Sequence, residues 1–236
     1  IFNNDNNGTF MMKVSMVLLT IFIVFTLCRL ILYIFWLPVS DKKWLYYGGV
    51  VSFTTFILLI YGIFVTRTNY KINEIELKFN NLPAAFNGFR IAFISDIHVG
   101  SMYNAESELG DIADIVSEID ADIVLFGGDL INLHHSELTP VILEKLSLIK
   151  GKHNTLAVLG NHDTGAYLND SLTTPRFVNK NLVETKLRGI GWNLLRDSTV
   201  FIYNNHDSIA ITGIDYTDEL LKFKHNFNNI KDYDVF

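Results

Sequence analysis

Three short polar clusters hold the residues best suited to chemistry: Asp96-Ile97-His98, Gly127-Gly128-Asp129 and Gly160-Asn161-His162-Asp163. Between them they offer carboxylates, imidazoles and one carboxamide, a donor set that suits divalent cations such as Mn, Fe or Zn. The chain has 1 cysteine, Cys28, in an apolar stretch far from these clusters, so neither a thiolate metal site nor an internal disulfide can form. Gly127, Gly128 and Gly160 let the backbone turn tightly and approach a metal or phosphate closely. Each cluster alone is a weak signal, because a Gly-Asp after a strand is commonly a plain turn. Their shared position is the stronger signal.

Each cluster follows a short apolar run: Ile91-Ala92-Phe93-Ile94, Ile123-Val124-Leu125-Phe126 and Leu156-Ala157-Val158-Leu159. Between the runs, Ile112, Ile115, Val116 and Ile119, then Leu138, Val141, Ile142, Leu146 and Ile149, recur at helical spacing. Buried strands alternating with amphipathic helices predict βαβ units in a largely parallel sheet. In such sheets ligands bind beyond the carboxyl ends of the strands, which is where all three clusters fall. Further on, Val200-Phe201-Ile202-Tyr203 and Ile209-Ala210-Ile211-Thr212 flank a polar turn, predicting a hairpin that begins a second sheet. The expected class is therefore α/β.

The apolar residues, 49% of the 236-residue chain at a mean hydropathy of +0.24, are concentrated at the front. Residues 14–37 and 44–65 are nearly unbroken apolar runs. Each is long enough to cross a hydrocarbon core of roughly 30 Å, whereas a cleaved signal needs an apolar core of only about 7–15 residues. The division expected is a flank over 1–13, two transmembrane helices over 14–66, a linker and first strand over 67–88, and a catalytic domain over 89–236. Ile75, Leu77 and Phe79 alternate with polar residues as that first strand. Arg29, inside the first span, has no evident partner nearby. Lys13, Arg67 and Lys71 on one side of the spans against Lys42 and Lys43 on the other lean towards a cytoplasmic soluble domain on a multi-pass membrane protein. The net charge of −6 argues against a nucleic-acid partner.

In this order and separation, Asp-Ile-His, Gly-Gly-Asp and Gly-Asn-His-Asp resemble the first three signatures of the calcineurin-like metallophosphoesterases, over roughly residues 89–215. The apolar spans, the Leu82-Pro83 turn and Thr212-Gly213-Ile214-Asp215 are similar to a membrane-anchored bacterial subgroup likened to UDP-diacylglucosamine hydrolases. The resemblance implies an αββα sandwich and two divalent ions about 3.5–4 Å apart that activate water for in-line attack on a phosphate. Asp96 and His98 would hold one ion, Asn161 the other, and Asp129 would bridge them. His162 would serve the leaving group, with Asp163 orienting it. The implied substrate is a phosphoester or pyrophosphate, with a lipid-linked phosphate made plausible by the anchor.

Two of the family's later elements, a strand-end histidine and a Gly-His-x-His pair, have no counterpart here. Ile1 in place of Met, and Tyr233-Asp234-Val235-Phe236 as the opening of a strand, read as cut ends, so the domain is expected to be incomplete at its C-terminus. The alternative is a non-catalytic membrane-bound binding module that keeps the fold without a full metal site. His206 and His225 read as surface residues, His134 and His135 as loop residues, and His153 as lying at the opposite end of its strand from the site.

Overall fold

A computed structural model of the chain describes residues 4–36, 42–168, 174–214 and 216. The chain divides into two compact units, Ile1–Glu74 and Ile75–Phe236. Asp215, His225 and the expected strand start at residues 233–236 lie outside the described residues.

The first unit is a pair of helices, α1 (Asn4–Trp36) and α2 (Lys42–Phe64). The expected flank is thus helical from Asn4 onward. Most described side chains of both helices are exposed, including Phe22, Phe25, Phe53 and Leu58. So much apolar surface is unfavourable in water and favourable in lipid. Several polar groups within the apolar stretches bond internally, as a hydrocarbon environment favours. Thr54 and Thr55 donate to the carbonyls of Val50 and Val51 at 2.9 Å. The Ser52 hydroxyl donates across to the Cys28 carbonyl at 3.0 Å, and the Cys28 thiol lies 3.5 Å from the Ser52 carbonyl. Arg29 does find a partner: its guanidinium donates to the Tyr33 hydroxyl at 3.4 Å and lies 5.8 Å from that ring's centre.

The expectation of two spans is corrected. Among the described residues, one helix carries an apolar segment long enough to cross a membrane, Val17–Ile34 within α1. Among the described residues, the apolar part of α2, Tyr46–Gly62, is shorter than that. A multi-pass arrangement is not supported.

In the second unit, β1 (Ile91–Ile94), β2 (Ile123–Phe126), β3 (Asn154–Ala157) and β4 (Asn193–Leu194) form a parallel sheet in that order. The crossovers are α3 (Ala105–Ile119), α4 (Pro140–Ser147) and α5 (Arg176–Gly189). Asn104 caps α3 by accepting from Ser107 N at 3.3 Å, and its own N–H donates to Glu108 at 2.9 Å. Thr139 caps α4, with Pro140 in the first turn, where its missing N–H costs nothing. Leu109 and Val116 of α3, Leu146 of α4 and Val183 and Leu187 of α5 bury against Ala92, Val124, Phe126 and Leu194 of the sheet. On the other face, Leu156, Leu125 and Val158 pack with Ile202, Val200 and Ile211 of the antiparallel hairpin β5 (Ser198–Asn204) and β6 (Asp207–Gly213).

Two strand expectations need correction. The third strand pairs over Asn154–Ala157, two residues earlier than its apolar run, so Val158 and Leu159 belong to the loop that leads into the site. Residues 69–79 form no regular strand, and Ile75 and Leu77 are exposed. Alternation describes a half-buried strand, but no neighbouring strand among the described residues pairs with it. Helix α5 and β4, by contrast, escaped the sequence reading, although Val183, Leu187 and Ile190 recur at helical spacing behind Pro175.

Because Leu187 is wholly buried at the α5–sheet contact, Leu187→Ala should cost about 2–5 kcal/mol in chemical denaturation. Phe177→Ala on the exposed side of the same helix should stay within about 0.5 kcal/mol of the parent.

Candidate metal centre

The three polar clusters meet at the carboxyl edge of the parallel sheet. Two loops are laced together by continued pairing beyond the strands: Asp96 N donates to Gly128 O at 2.9 Å, His98 N to Asp129 O at 3.1 Å and Val99 N to Leu130 O at 2.9 Å. The third loop begins with Val158 N donating to Phe126 O at 3.0 Å. Asp96, His98 and Asp129 all adopt left-handed backbone, at φ of 56°, 47° and 59°. For non-glycine residues such geometry costs of order 1–3 kcal/mol each and persists only where the surroundings enforce it.

Asp163 is what enforces it. Its fully buried carboxylate accepts from Asp129 N at 2.7 Å and Gly160 N at 3.0 Å through one oxygen. The other oxygen accepts from Leu130 N at 2.9 Å and Ile131 N at 3.1 Å. Burial pushes this carboxyl up to about 6; the N–H groups of Gly160, Ile131 and Asp129 pull the other way, and the nearby Asp129 charge adds to the rise. An ionised group suits this nest, since a carboxylate only accepts and every neighbour donates. The anticipated role of Asp163, orienting the His162 imidazole, is replaced by this one. The His162 Nδ1 instead lies 2.5 Å from the carbonyl of Asn132.

That carbonyl can only accept, so Nδ1 donates its proton there and Nε2 is the nitrogen left for the site. Asn132 is in turn held by Glu137, a buried carboxylate that accepts from the N–H groups of Asn132, Leu133 and His134 at 2.8, 2.8 and 3.0 Å. Glu137 escaped the sequence reading; a Glu just before a helical run was the available signal.

The donor atoms converge. One ligand atom each from His98, Asp129 and His162 lies within 4.8 Å of the others. The His98 and His162 rings meet edge-on at 4.6 Å, and Asp96 Oδ1 is 4.0 Å from His98 Nε2. One end of the Asn161 amide lies 3.0 and 3.2 Å from the two carboxylate oxygens of Asp129. His162 N donates to Asp129 Oδ1 at 3.0 Å. Five of the six residues named from the sequence at this edge, all but Asp163, are therefore neighbours around one point, with His162 closer to the ligand cluster than its assigned role required. An open cavity of about 340 Å³ beside them is lined by Asp96, Asp129, Asn161 and loop glycines, with Ile214 and Tyr216.

A divalent cation fits these residues. The His98 Nδ1 is buried without a hydrogen-bond partner, and two carboxylates and an amide line one cavity beside two imidazoles, a donor set that a divalent cation accepts. A Cβ on Gly160 would overlap the Asp129 carboxylate, so glycine is required for that side chain to sit where it does.

The other described histidines are elsewhere. His134 caps a helical turn through Ser136 N, and His135 N donates to Asn179 Oδ1 at 2.7 Å, joining that loop to α5. His153 stacks on Phe89, before β3, and His206 is exposed in the hairpin turn.

Asp163→Asn should lower stability by about 2–4 kcal/mol, because an amide NH₂ would face N–H donors and leave them unsatisfied. Hydrogen exchange at Leu130 and Ile131 should quicken in the same variant. A residue that merely oriented His162 would, on substitution, lower turnover and leave those amides protected.

Comparison with known proteins agrees with the site. The model of the calcineurin-like phosphoesterase family matches residues 89–235. The chain is 32% identical over 109 residues to a zebrafish (Danio rerio) transmembrane protein with metallophosphoesterase domain, covering 46% of this chain and 24% of that protein. It is 33% identical over 99 residues to the Bacillus subtilis uncharacterized metallophosphoesterase YkuE, covering 40% of this chain and 33% of YkuE. An uncharacterized metallophosphoesterase of Helicobacter pylori is 32% identical over 102 residues, 43% of this chain and 26% of its own. The matched regions thus span a third or less of these relatives' length. With the family model covering more than half of its residues, the chain belongs to the calcineurin-like phosphoesterase family.

Proposed function

We propose that this chain is part of a membrane-anchored, metal-dependent hydrolase of phosphoester or pyrophosphate bonds that works with two divalent ions. The observation that carries this reading is the approach of His98, Asp129 and His162 within 4.8 Å at the carboxyl edge of the sheet. Asp96 and His98 would hold one ion, Asn161 the other, and Asp129, with its two carboxylate oxygens, would serve both. Bound ions of this kind neutralise phosphate charge and lower the pKa of water to near neutrality.

The chain's own residues do the rest. The lacing of the two loops fixes Asp96, His98 and Asp129 in one geometry before any ligand arrives, so little ordering cost remains at binding. His162 keeps its proton on Nδ1 through Asn132, which leaves Nε2 free to exchange a proton with a leaving oxygen. The Val17–Ile34 segment supports a membrane anchor and, with it, a lipid-linked phosphate or pyrophosphate as the substrate class.

The test uses the full chain in detergent with Mn²⁺ and two substrates, an aryl phosphodiester and a phosphorylated lipid in mixed micelles. Asp129→Ala should abolish both metal uptake and hydrolysis. His162→Ala should keep the metal and lose about 10²–10⁴-fold in turnover, the range for a missing general acid. Loss of metal in His162→Ala would move His162 into the ligand set. Metal uptake with no hydrolysis of either substrate would leave a non-catalytic binding module.

A further inference from the structure

Tyr167 is a residue that neither the sequence motifs nor the proposed ligand set accounts for. The segment after Asn161 is a tight turn, held by Thr164 N donating to Gly160 O at 3.1 Å, Gly165 N to His162 O at 3.1 Å and Ala166 N to Asn161 O at 3.1 Å. Gly165, at φ 75°, turns the chain back, and Leu168 is pinned because its carbonyl accepts from Arg176 Nε of α5 at 3.0 Å. The turn returns Tyr167 onto the site. Its ring centre lies 4.5 Å from that of His162, and its hydroxyl is 2.8 Å from the Asn161 amide.

We infer that Tyr167 is a positioning residue of the metal centre, whose hydroxyl holds the Asn161 amide with its oxygen turned towards Asp129. This inference rests on the metal reading above and adds to it the control of one ligand's orientation. The amide sits between two different neighbours, Asp129 on one side and Tyr167 on the other. With its NH₂ towards Tyr167, the nitrogen donates to the hydroxyl at 2.8 Å, and the amide oxygen faces the Asp129 oxygens. Turned the other way, the nitrogen donates to Asp129 Oδ2 and Oδ1 at 3.0 and 3.2 Å, and the oxygen accepts from the Tyr167 hydroxyl at 2.8 Å.

The two orientations suit two charge states. Without a cation, oxygen facing oxygen is repulsive, and the second orientation satisfies every group. With a cation shared by Asn161 and Asp129, the amide oxygen must face it, and only the first orientation serves. A hydroxyl can donate or accept by rotating its O–H, so Tyr167 remains bonded to the amide in both. The amide NH₂ becomes a stronger donor when its oxygen is on a cation, so the bond to Tyr167 strengthens in the metal-holding state. Phenylalanine would keep the ring on His162 and lose this bond alone. Partners that orient a ligand from behind typically matter by about 10–100-fold in metal affinity.

The experiment titrates the full chain in detergent with Mn²⁺ alone, reading unbound Mn²⁺ by its six-line EPR signal, so it needs neither substrate nor turnover. Tyr167→Phe should weaken one Mn²⁺ site about 10-fold or more, leave the other unchanged and preserve the thermal unfolding of the metal-free protein. In an Asn161→Ala background no polar side chain is left at that position for the hydroxyl to bond, so Tyr167→Phe should then have little further effect. Mn²⁺ binding by Tyr167→Phe equal to that of the parent would overturn the inference and leave the metal reading standing. An equal loss in both backgrounds would also overturn it, since the effect would then run through His162 or the turn. A parent chain that takes up no Mn²⁺ would overturn the metal reading, and this inference with it.

Discussion

The site depends on one buried carboxylate. Asp163 gathers the N–H groups of Asp129, Leu130, Ile131 and Gly160, so a single side chain ties the loop after β2 to the loop after β3. Everything nearby follows from that contact. Asp129 can stay in left-handed backbone because its N–H is held, and with its carbonyl accepting from His98 N, the loop after β1 is drawn in as well. Charge-assisted bonds of this kind are about twice as strong as neutral ones, which is the scale needed to offset local backbone strain. Glu137 repeats the device one loop further on, and through Asn132 it settles which nitrogen of His162 bears the proton.

The arrangement assembles like charges and oxygens that would repel one another in an ordinary folded core. Asp96 and Asp129 share an edge with two imidazoles and an amide, and a buried nitrogen of His98 faces no partner. Stability alone would not select such a cluster, because each unsatisfied polar group costs free energy. A cation reverses the sign of these interactions, turning repulsion between donors into shared attraction. The glycines serve the same end, since any side chain on Gly160 would displace Asp129. The N-terminal unit obeys the opposite rule. There the hydroxyls of Ser52, Thr54 and Thr55 in α2 bond to carbonyls of α1 or of their own helix, and the surface is left apolar.

Much of this was legible in the residues. The runs at 91–94 and 123–126 coincide with β1 and β2, and the helical spacing of Ile112 to Ile119 lies on α3. The grouping of Asp96, His98, Asp129, Asn161 and His162 at one sheet edge followed from order and spacing alone, because a parallel sheet puts every strand's carboxyl end on the same side. The misreadings have particular causes. Residues 75–79 alternate correctly, but a strand is made by its neighbour and not by its own pattern. The second apolar run, at 44–65, falls on α2, of which Tyr46–Gly62 is the apolar part among the described residues.

The sequence by itself determined the fold class, the sheet edge on which the chemistry lies and the kinds of atom offered there, since these depend on local periodicity and residue type. Tertiary structure alone decided which polar residue does which task. The resemblance pairs Asp163 with its chain neighbour His162, yet their side chains face different partners, one the amides of a loop more than thirty residues earlier and the other the carbonyl of Asn132. Tyr167 and Glu137 entered the site unannounced, because a turn and a loop return brought them in. Direction is the physical reason. A side chain's type is written at its own position, but where it points is set by backbone dihedrals and by contacts between segments distant in the chain, and no spacing rule reaches across those.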